Sequence, residues 1–301
     1  MPLSLVVSRE ELAAAFAPAV HREVPAGDRE WAATVRRLHL ALRWKAFATR
    51  WLPWLERRGQ SATVRETYEE AWGAQADFRK FDLAKREKQL VVWGERQFYA
   101  SQFGAKRIHL LYIAALIEAL RPRAVLEVGS GLGQNAMLLA QRFPDVQFTG
   151  VELTAQGARI AAVTRAAPLP EVLQRYAPFP LTDTNAHARV GFVRGSAAQL
   201  PFASGAFDLV YTVQALEQME AIRPQALAEI ARVCRGHTAM IEPFRDWNQT
   251  PLRRAKTQGW GLFSAPIGDL PTYGLTPVHS TDDMPMKVYY GVGLVVAEKA
   301  R

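Results

Sequence analysis

The chain has 301 residues, 49% of them apolar and 22% charged, a balance that suits a globular fold and excludes a largely disordered or low-complexity protein. Its net charge of +8 is spread, with 19 basic against 14 acidic residues through Leu120 and 18 against 15 after it, so no basic tail or stripe favours a nucleic-acid partner. A single cysteine, Cys234, excludes an internal disulfide and a multi-cysteine metal centre, and no metal is expected.

The N-terminal stretch lacks the basic and long apolar segments of a signal peptide, and a cytoplasmic protein is expected. From residue 1 to 120 the signals are helical. Ser8 with Glu11 forms a capping-box pattern, and Asp28 precedes Trp31, Val35, Leu38 and Leu42 at spacings of four, three and four. Six of the eight tryptophans (Trp31, Trp44, Trp51, Trp54, Trp72, Trp93) lie here, which implies packing on a partner surface. Arg43, Trp44, Lys45, Arg50, Trp51, Trp54, Arg57 and Arg58 mix cations with aromatic rings; such a cluster suits a lipid interface or a single strand of nucleic acid, but a helix pair with tryptophans packed inward is the favoured reading. The apolar run from Ile108 to Leu120 carries His109 and Glu118 and falls short of the ~20 residues that span a bilayer.

After Pro122 short apolar runs alternate with helical segments: 124–128, 146–151, 190–193, 207–213 and 238–243, the signature of βαβ units and a parallel sheet. A closing antiparallel hairpin is expected from 275–280 and one long strand, 287–299, with Gly291 and Gly293 inside it. The connection 167–188, with four prolines, reads either as a lid or subunit contact, or as a short helix over Glu171–Tyr176 between two turns.

The most informative stretch is Glu127-Val128-Gly129-Ser130-Gly131-Leu132-Gly133, placed between a strand and a helix, where glycines let the backbone turn and approach a ligand closely. The third glycine comes one residue too early for the dinucleotide fingerprint. Glu127 would repel a pyrophosphate and attract an ammonium, while Glu152, at the end of the next strand, can accept hydrogen bonds from both hydroxyls of a ribose. Together they point to a nucleoside with a positively charged tail.

The run EVGSGLG at 127–133, VE at 151–152, GSAAQLPF at 195–202 and FDLV at 207–210 resembles the class I S-adenosylmethionine (SAM)-dependent methyltransferases, in their type 11 or ubiquinone-methyltransferase-like branch. The resemblance covers roughly 123–243 and implies a Rossmann-like, seven-stranded, mostly parallel α/β sheet over 121–301, while the helical signals make residues 1–120 an all-helical extension expected to act as a lid. It also implies that Glu127, Gly129, Ser130, Gly131 and Gly133 hold the methionine part of SAM, that Glu152 holds the ribose, that Ser196 and Ala197 lie by the adenine, and that Gln214 lies by the methyl group. The family commonly has an acidic residue where this chain has Ser196-Ala197.

Methyl transfer from a sulfonium chiefly requires alignment, and a base helps when the acceptor is a hydroxyl or protonated amine. Candidate bases are Glu217, Glu242 and Tyr99, with His109 read as a packed histidine. The sequence VQALE at 213–217 lacks the proline-aromatic signature of amino-directed nucleic-acid methyltransferases, and Cys234 falls far from the cofactor end of the sheet. The expected acceptor is a small apolar or aromatic molecule, methylated on O, N or C, in a pocket formed with Phe98, Tyr99, Phe103, Phe244 and Trp247. An RNA or protein substrate, a non-catalytic SAM-binding scaffold and a homodimer stay open as alternatives.

Overall fold

A computed structural model describes residues 5, 7–51, 68–69, 78–84, 89–101 and 103–300, with the backbone alone for 46 and 49–51. The core is a seven-stranded sheet in the order β6-β5-β4-β7-β8-β11-β9. β4 (Ala124–Val128), β5 (Gln147–Glu152), β6 (Gly191–Arg194), β7 (Phe207–Val213) and β8 (Cys234–Glu242) pair in parallel, whereas β11 (Gly293–Lys299) lies antiparallel between β8 and β9 (Leu275–Thr281). β4 and β8 are covered on both faces, which is why they read as continuous apolar runs rather than as alternating ones. The strand order reverses beside β4, and this places a crevice at the carboxyl ends of β4, β5 and β7.

Ahead of the sheet, α1 (Arg9–Phe16) starts with the capping box expected at Ser8 and Glu11, and Asp28 caps α2 (Arg29–Trp51) by accepting from the Trp31 N–H at 2.8 Å. The region is not all-helical, however. β1 (Val20–Val24), β2 (Gln89–Trp93) and β3 (Arg96–Ala100) form an antiparallel sheet that is completed by β10 (Met286–Lys287), in the order β1-β3-β2-β10. The sequence hid these strands because charged and polar residues (Arg22, Glu23, Arg96, Gln97) interrupt the alternation. Residues 286–287 belong to this second sheet, so the single strand expected over 287–299 is two. Asn248 makes the break between them: its amide donates to the Gly291 carbonyl and accepts from the Gly291 N–H, each at 2.9 Å.

α3 (Gly104–Leu120) runs between the two sheets and is buried along most of its length, as its apolar composition requires. α4 (Gln134–Arg142), α5 (Ala155–Arg165) and α7 (Arg223–Val233) cross over the large sheet, and α8 (Pro251–Gly259) packs along α2. Trp31 and Trp93 are buried, and the Trp93 indole donates to Asp283 at 2.6 Å. Trp44 departs from the inward packing expected of it: it is 72% exposed and stacks on Phe47. Arg43 and Lys45 share this solvent-facing stretch; the side chains of Arg50 and Trp51, and all of Trp54, Arg57, Arg58 and Trp72, lie outside the described residues. Among the described residues no helix is long and apolar enough to cross a membrane.

Connection 167–188 takes the short-helix form, with α6 spanning Glu171–Tyr176. It packs against α3 and α4: the Tyr176 hydroxyl donates to the Phe103 carbonyl, and the N–H groups of Thr182 and Asp183 donate to Gln141. The buried Arg107 guanidinium on α3 ties three segments together by donating to the carbonyls of Ala15, Tyr176 and Ala177. Arg107→Leu strands three carbonyls and removes charge-assisted bonds worth about 1.5–3 kcal/mol each before relaxation. A loss of roughly 3 kcal/mol or more in denaturant unfolding is expected; a loss below about 1 kcal/mol would show that water replaces the guanidinium.

Candidate active site

The loop after β4 is built as close-approach turns need. Gly129, Gly131 and Gly133 all adopt positive φ, at +77°, +56° and +76°. A Cβ on Gly129 would meet Ala215 at 2.5 Å, and one on Gly133 would meet the Phe192 ring at 2.3 Å, so neither conformation nor space admits a side chain. The N–H groups of Gly129 and Ser130 donate to the Val151 carbonyl, which joins the loop to β5.

Glu152 completes this tie. One carboxylate oxygen accepts from the Gly131 N–H at 3.0 Å, and the other accepts from the Thr154 N–H and hydroxyl at 3.0 and 2.6 Å. Glu127 is only 2% exposed. Its Oε1 accepts from the Asn135 amide at 2.8 Å, whereas its Oε2 makes no well-formed hydrogen bond, with the buried Tyr211 hydroxyl close by. Burial pushes its pKa up to about 7, against the pull of the Asn135 hydrogen bond, and Glu152 adds to the rise. The buried Ser130 hydroxyl has no partner.

These residues line a cleft of about 340 Å³. Ser196, Ala197, Leu153, Met219 and Ile222 form its more apolar end, with the Ser196 hydroxyl accepting from the Ala198 N–H at 3.2 Å. Gln214 lines it at the end of β7 with φ +51°, a strained value for a residue bearing a side chain. Eight of the nine positions expected to hold the cofactor line this one cleft, and the ninth, Gly133, sits behind it against Phe192. Tyr68, Lys80, Phe81, Phe103 and Lys106 complete the wall from the N-terminal region. No residue of 167–188 lines it.

The three candidate bases separate. Glu217 lines the cleft, and its carboxylate accepts from the Tyr290 hydroxyl. Glu242 is fully buried and is no part of the lining. Its oxygens accept from the backbone N–H groups of Ala215, Leu216 and Glu217 at 2.9 to 3.1 Å, and burial, with Glu217 nearby, raises its pKa to about 8. It holds the turn after β7 and lines neither this cleft nor the cavity beside it. Tyr99 also falls away from the cleft, with its ring edge-on to Trp31 at 5.4 Å and beneath the Arg22 guanidinium. Cys234, at the opposite end of β8, donates to the His237 carbonyl.

A second cavity of about 280 Å³ shares Lys106, Gln214, Glu217 and Gln218 with the first. Its remaining walls include His109, Lys256, Trp260, Lys287, Tyr289 and Tyr290. Of the five aromatic residues expected to form an acceptor pocket, only Phe103 lines either cavity; Phe98 packs on Phe16, Phe244 on Phe263, and Trp247 against the start of β11. The sequence offered one usable clue, since Phe103, Lys106 and His109 recur at intervals of three and share a face of α3. The tyrosines and lysine of 287–290 were concealed inside what read as a strand.

Residues 126–241 match a family model described as a methyltransferase domain, Methyltransf_11. An O-methyltransferase, rstn1, of Aspergillus nomiae is 30% identical over 137 residues, covering 44% of this chain and 52% of that protein. A malonyl-[acyl-carrier protein] O-methyltransferase of Laribacter hongkongensis is 34% identical over 115 residues, or 38% and 34% of the two lengths. The chain thus spans between about a third and a half of the curated relatives it matches. Magnesium protoporphyrin IX methyltransferase from Synechocystis PCC 6803, solved with bound S-adenosylhomocysteine (SAH), superposes with a TM-score of 0.52 at 14% identity, over 79% of this chain and 99% of that one. The [4+2]-cyclase SpnF gives 0.52 at 17% identity over 81% and 98%, and both likenesses speak for the fold. Residues 126–241 therefore match a methyltransferase domain, and SAM is the cofactor that this match implies.

The cleft suits that cofactor. The loop presents carboxylates in place of the donors a pyrophosphate needs, and the Glu127 Oε2 is a ready acceptor for an ammonium. Gly133→Ala combines a disfavoured φ with overpacking against Phe192, at about 1–3 kcal/mol for each. A stability loss of about 2–4 kcal/mol is expected in thermal or denaturant unfolding, and a near-neutral variant would mean that the Phe192 ring moves aside.

Proposed function

We propose that the protein methylates a small molecule held in the second cavity, and the observation that carries the reading is the shared border of the two cavities at Lys106, Gln214, Glu217 and Gln218. Glu127, Ser130 and the glycine loop hold the amino-acid portion of the cofactor, Glu152 its ribose, and Ser196 with Ala197 the base. When bound, SAM supplies an activated methyl group and leaves as SAH. The protein's part is then alignment across the border and exclusion of water.

Glu217 is the group placed to receive an acceptor proton. It lines both cavities, its own N–H is fixed by Glu242, and the Tyr290 hydroxyl holds its side chain. With its pKa near 8 and its oxygens occupied, Glu242 is neutral at pH 7 and does not compete. Tyr68, Lys80 and Phe81 stand over the cofactor cleft, which supports a covering role for the N-terminal region. Relatives named as an ajmaline N-methyltransferase and an O-methyltransferase agree with transfer to N or O, and the second cavity has room for a small acceptor.

Isothermal titration with SAM and SAH tests the cofactor. Binding to the unsubstituted chain and its loss in Gly131→Arg, whose side chain fills the loop, are expected; no binding by the intact chain would sink the reading.

The same titration carries a pH signature. Glu127 is neutral below about pH 7 and ionised above it, and an ammonium favours the ionised form, so affinity should rise as pH passes upward through about 7, with proton release on binding. In the empty protein the sign is opposite: the folded pKa lies above the ordinary 4.5, so this residue's contribution to stability is lost as pH rises from about 4.5 to about 7. Titrations at about pH 6 and about pH 8, in buffers of different ionisation enthalpy, check both, and Glu127→Gln should abolish the dependence. A pH-independent affinity would remove Glu127 from the ammonium site.

Once an acceptor is in hand, Glu217→Gln should lower kcat by about 10²-fold or more while leaving SAH affinity in place. An unchanged kcat would leave Glu217 a spectator.

A further inference from the structure

We infer that the second cavity takes an acceptor bearing an anionic group, a carboxylate or comparable oxyanion on an aromatic or apolar body, with Lys287 as its main charge partner and Lys106 beside it. The inference rests on the methyltransferase reading and names the substrate class of the same site.

Charge accounting is the first support. The lining contributes three lysines, Lys106, Lys256 and Lys287, against one carboxylate, Glu217. His109 adds no charge at neutral pH, because burial and the nearby Lys106 push its pKa down to about 3, and burial keeps the tyrosines protonated. Glu242 lies behind the wall and is mostly protonated there. With Lys256 engaged on the Trp260 ring, two lysines stand against one carboxylate, and the cavity favours an anion over a cation.

The second support is where the lysines stand. Lys256 is occupied over the Trp260 ring at 3.1 Å. Lys106 lies over the Phe103 ring at 5.3 Å, but neither it nor Lys287 forms a salt bridge among the described residues, although both sense Glu217, and burial holds both ammonium groups below the usual lysine range. Cations withdrawn from water without a matching anion are costly, and sites that keep them commonly recover the cost when an anion binds. The buried Ser101 hydroxyl and His109 Nδ1, each without a partner, line the same cavity and offer hydrogen bonds beside the lysines.

The third is reaction chemistry. When the methyl passes from the sulfonium to another O or N of the acceptor, whose proton goes to Glu217, the anionic group stays paired with the lysines and is drawn toward the cationic donor as well. A cationic amine would meet three ammonium groups and a sulfonium. Trp260, Tyr289 and Met286 supply the apolar walls for the body of the ligand.

The test uses the full chain, with and without SAH, and three probes on one ring system: naphthoate, naphthamide and naphthylmethylammonium. By isothermal titration naphthoate should bind at least about tenfold more tightly than naphthamide, with the ammonium weakest. Lys287→Met should erase the preference for the carboxylate while keeping naphthamide affinity, and Lys287→Arg should preserve it. Equal affinity for carboxylate and amide, tighter binding of the ammonium, no binding of any probe, or a preference that survives Lys287→Met would each overturn the assignment. Failure of SAH to bind sinks the methyltransferase reading, whereas intact SAH binding without an anion preference sinks this inference alone.

Discussion

Beneath the carboxyl end of β7 the Glu242 carboxylate gathers three successive backbone N–H groups, those of Ala215, Leu216 and Glu217, in a place water does not reach. That grip fixes a turn whose entry residue, Gln214, is held at positive φ, and the turn is the wall between the two cavities. The Gln214 N–H, donating to the Ile241 carbonyl, binds the same turn to β8. A buried carboxyl group, kept mostly protonated by that burial, is an expensive way to terminate a strand. Here the return is positional: Gly129 can pack on Ala215, and Glu217 is aimed at the border, only while the turn holds its shape.

The glycine loop and this turn depend on each other. Gly129 lies against Ala215 and Gly133 against Phe192, so the loop is wedged between the ends of β7 and β6, and Glu152 clamps it from β5. The glycines are therefore as much a packing requirement as a ligand requirement. Glu152 also has two duties, since the oxygens that brace Gly131 and Thr154 face the cleft as well.

The cofactor half of the site was legible in the sequence because it is local. The strand, the glycine loop, the helix and the next strand's Glu152 follow one another within 26 residues, from Glu127 to Glu152, and their order constrains them strongly. The parallel sheet was legible for a related reason, since strands covered on both faces read as apolar runs. The N-terminal strands were not, because β1 and β3 carry the exposed charges Arg22, Glu23 and Arg96 on both faces, with Arg96 paired to Glu23 on the neighbouring strand. Nor was the second cavity, whose walls come from α3, α8 and residues 285–292 and meet only through tertiary packing. Glu242 looked like a candidate base because a strand-end carboxylate and a buried turn cap have the same sequence signature; burial alone tells them apart.

The pairing of β10 with β2 bears on how the molecule assembles. Trp93 and Asp283, joined by a hydrogen bond, are 190 residues apart, and between them lies nearly the whole of the large sheet. Contacts of that separation close late, because the loop entropy must be offset by structure already in place. During synthesis the loop that grips the cofactor is complete long before residues 285–292 emerge to wall the second cavity. A chain made only that far has the glycine loop and Glu152 but lacks the residues that wall the second cavity.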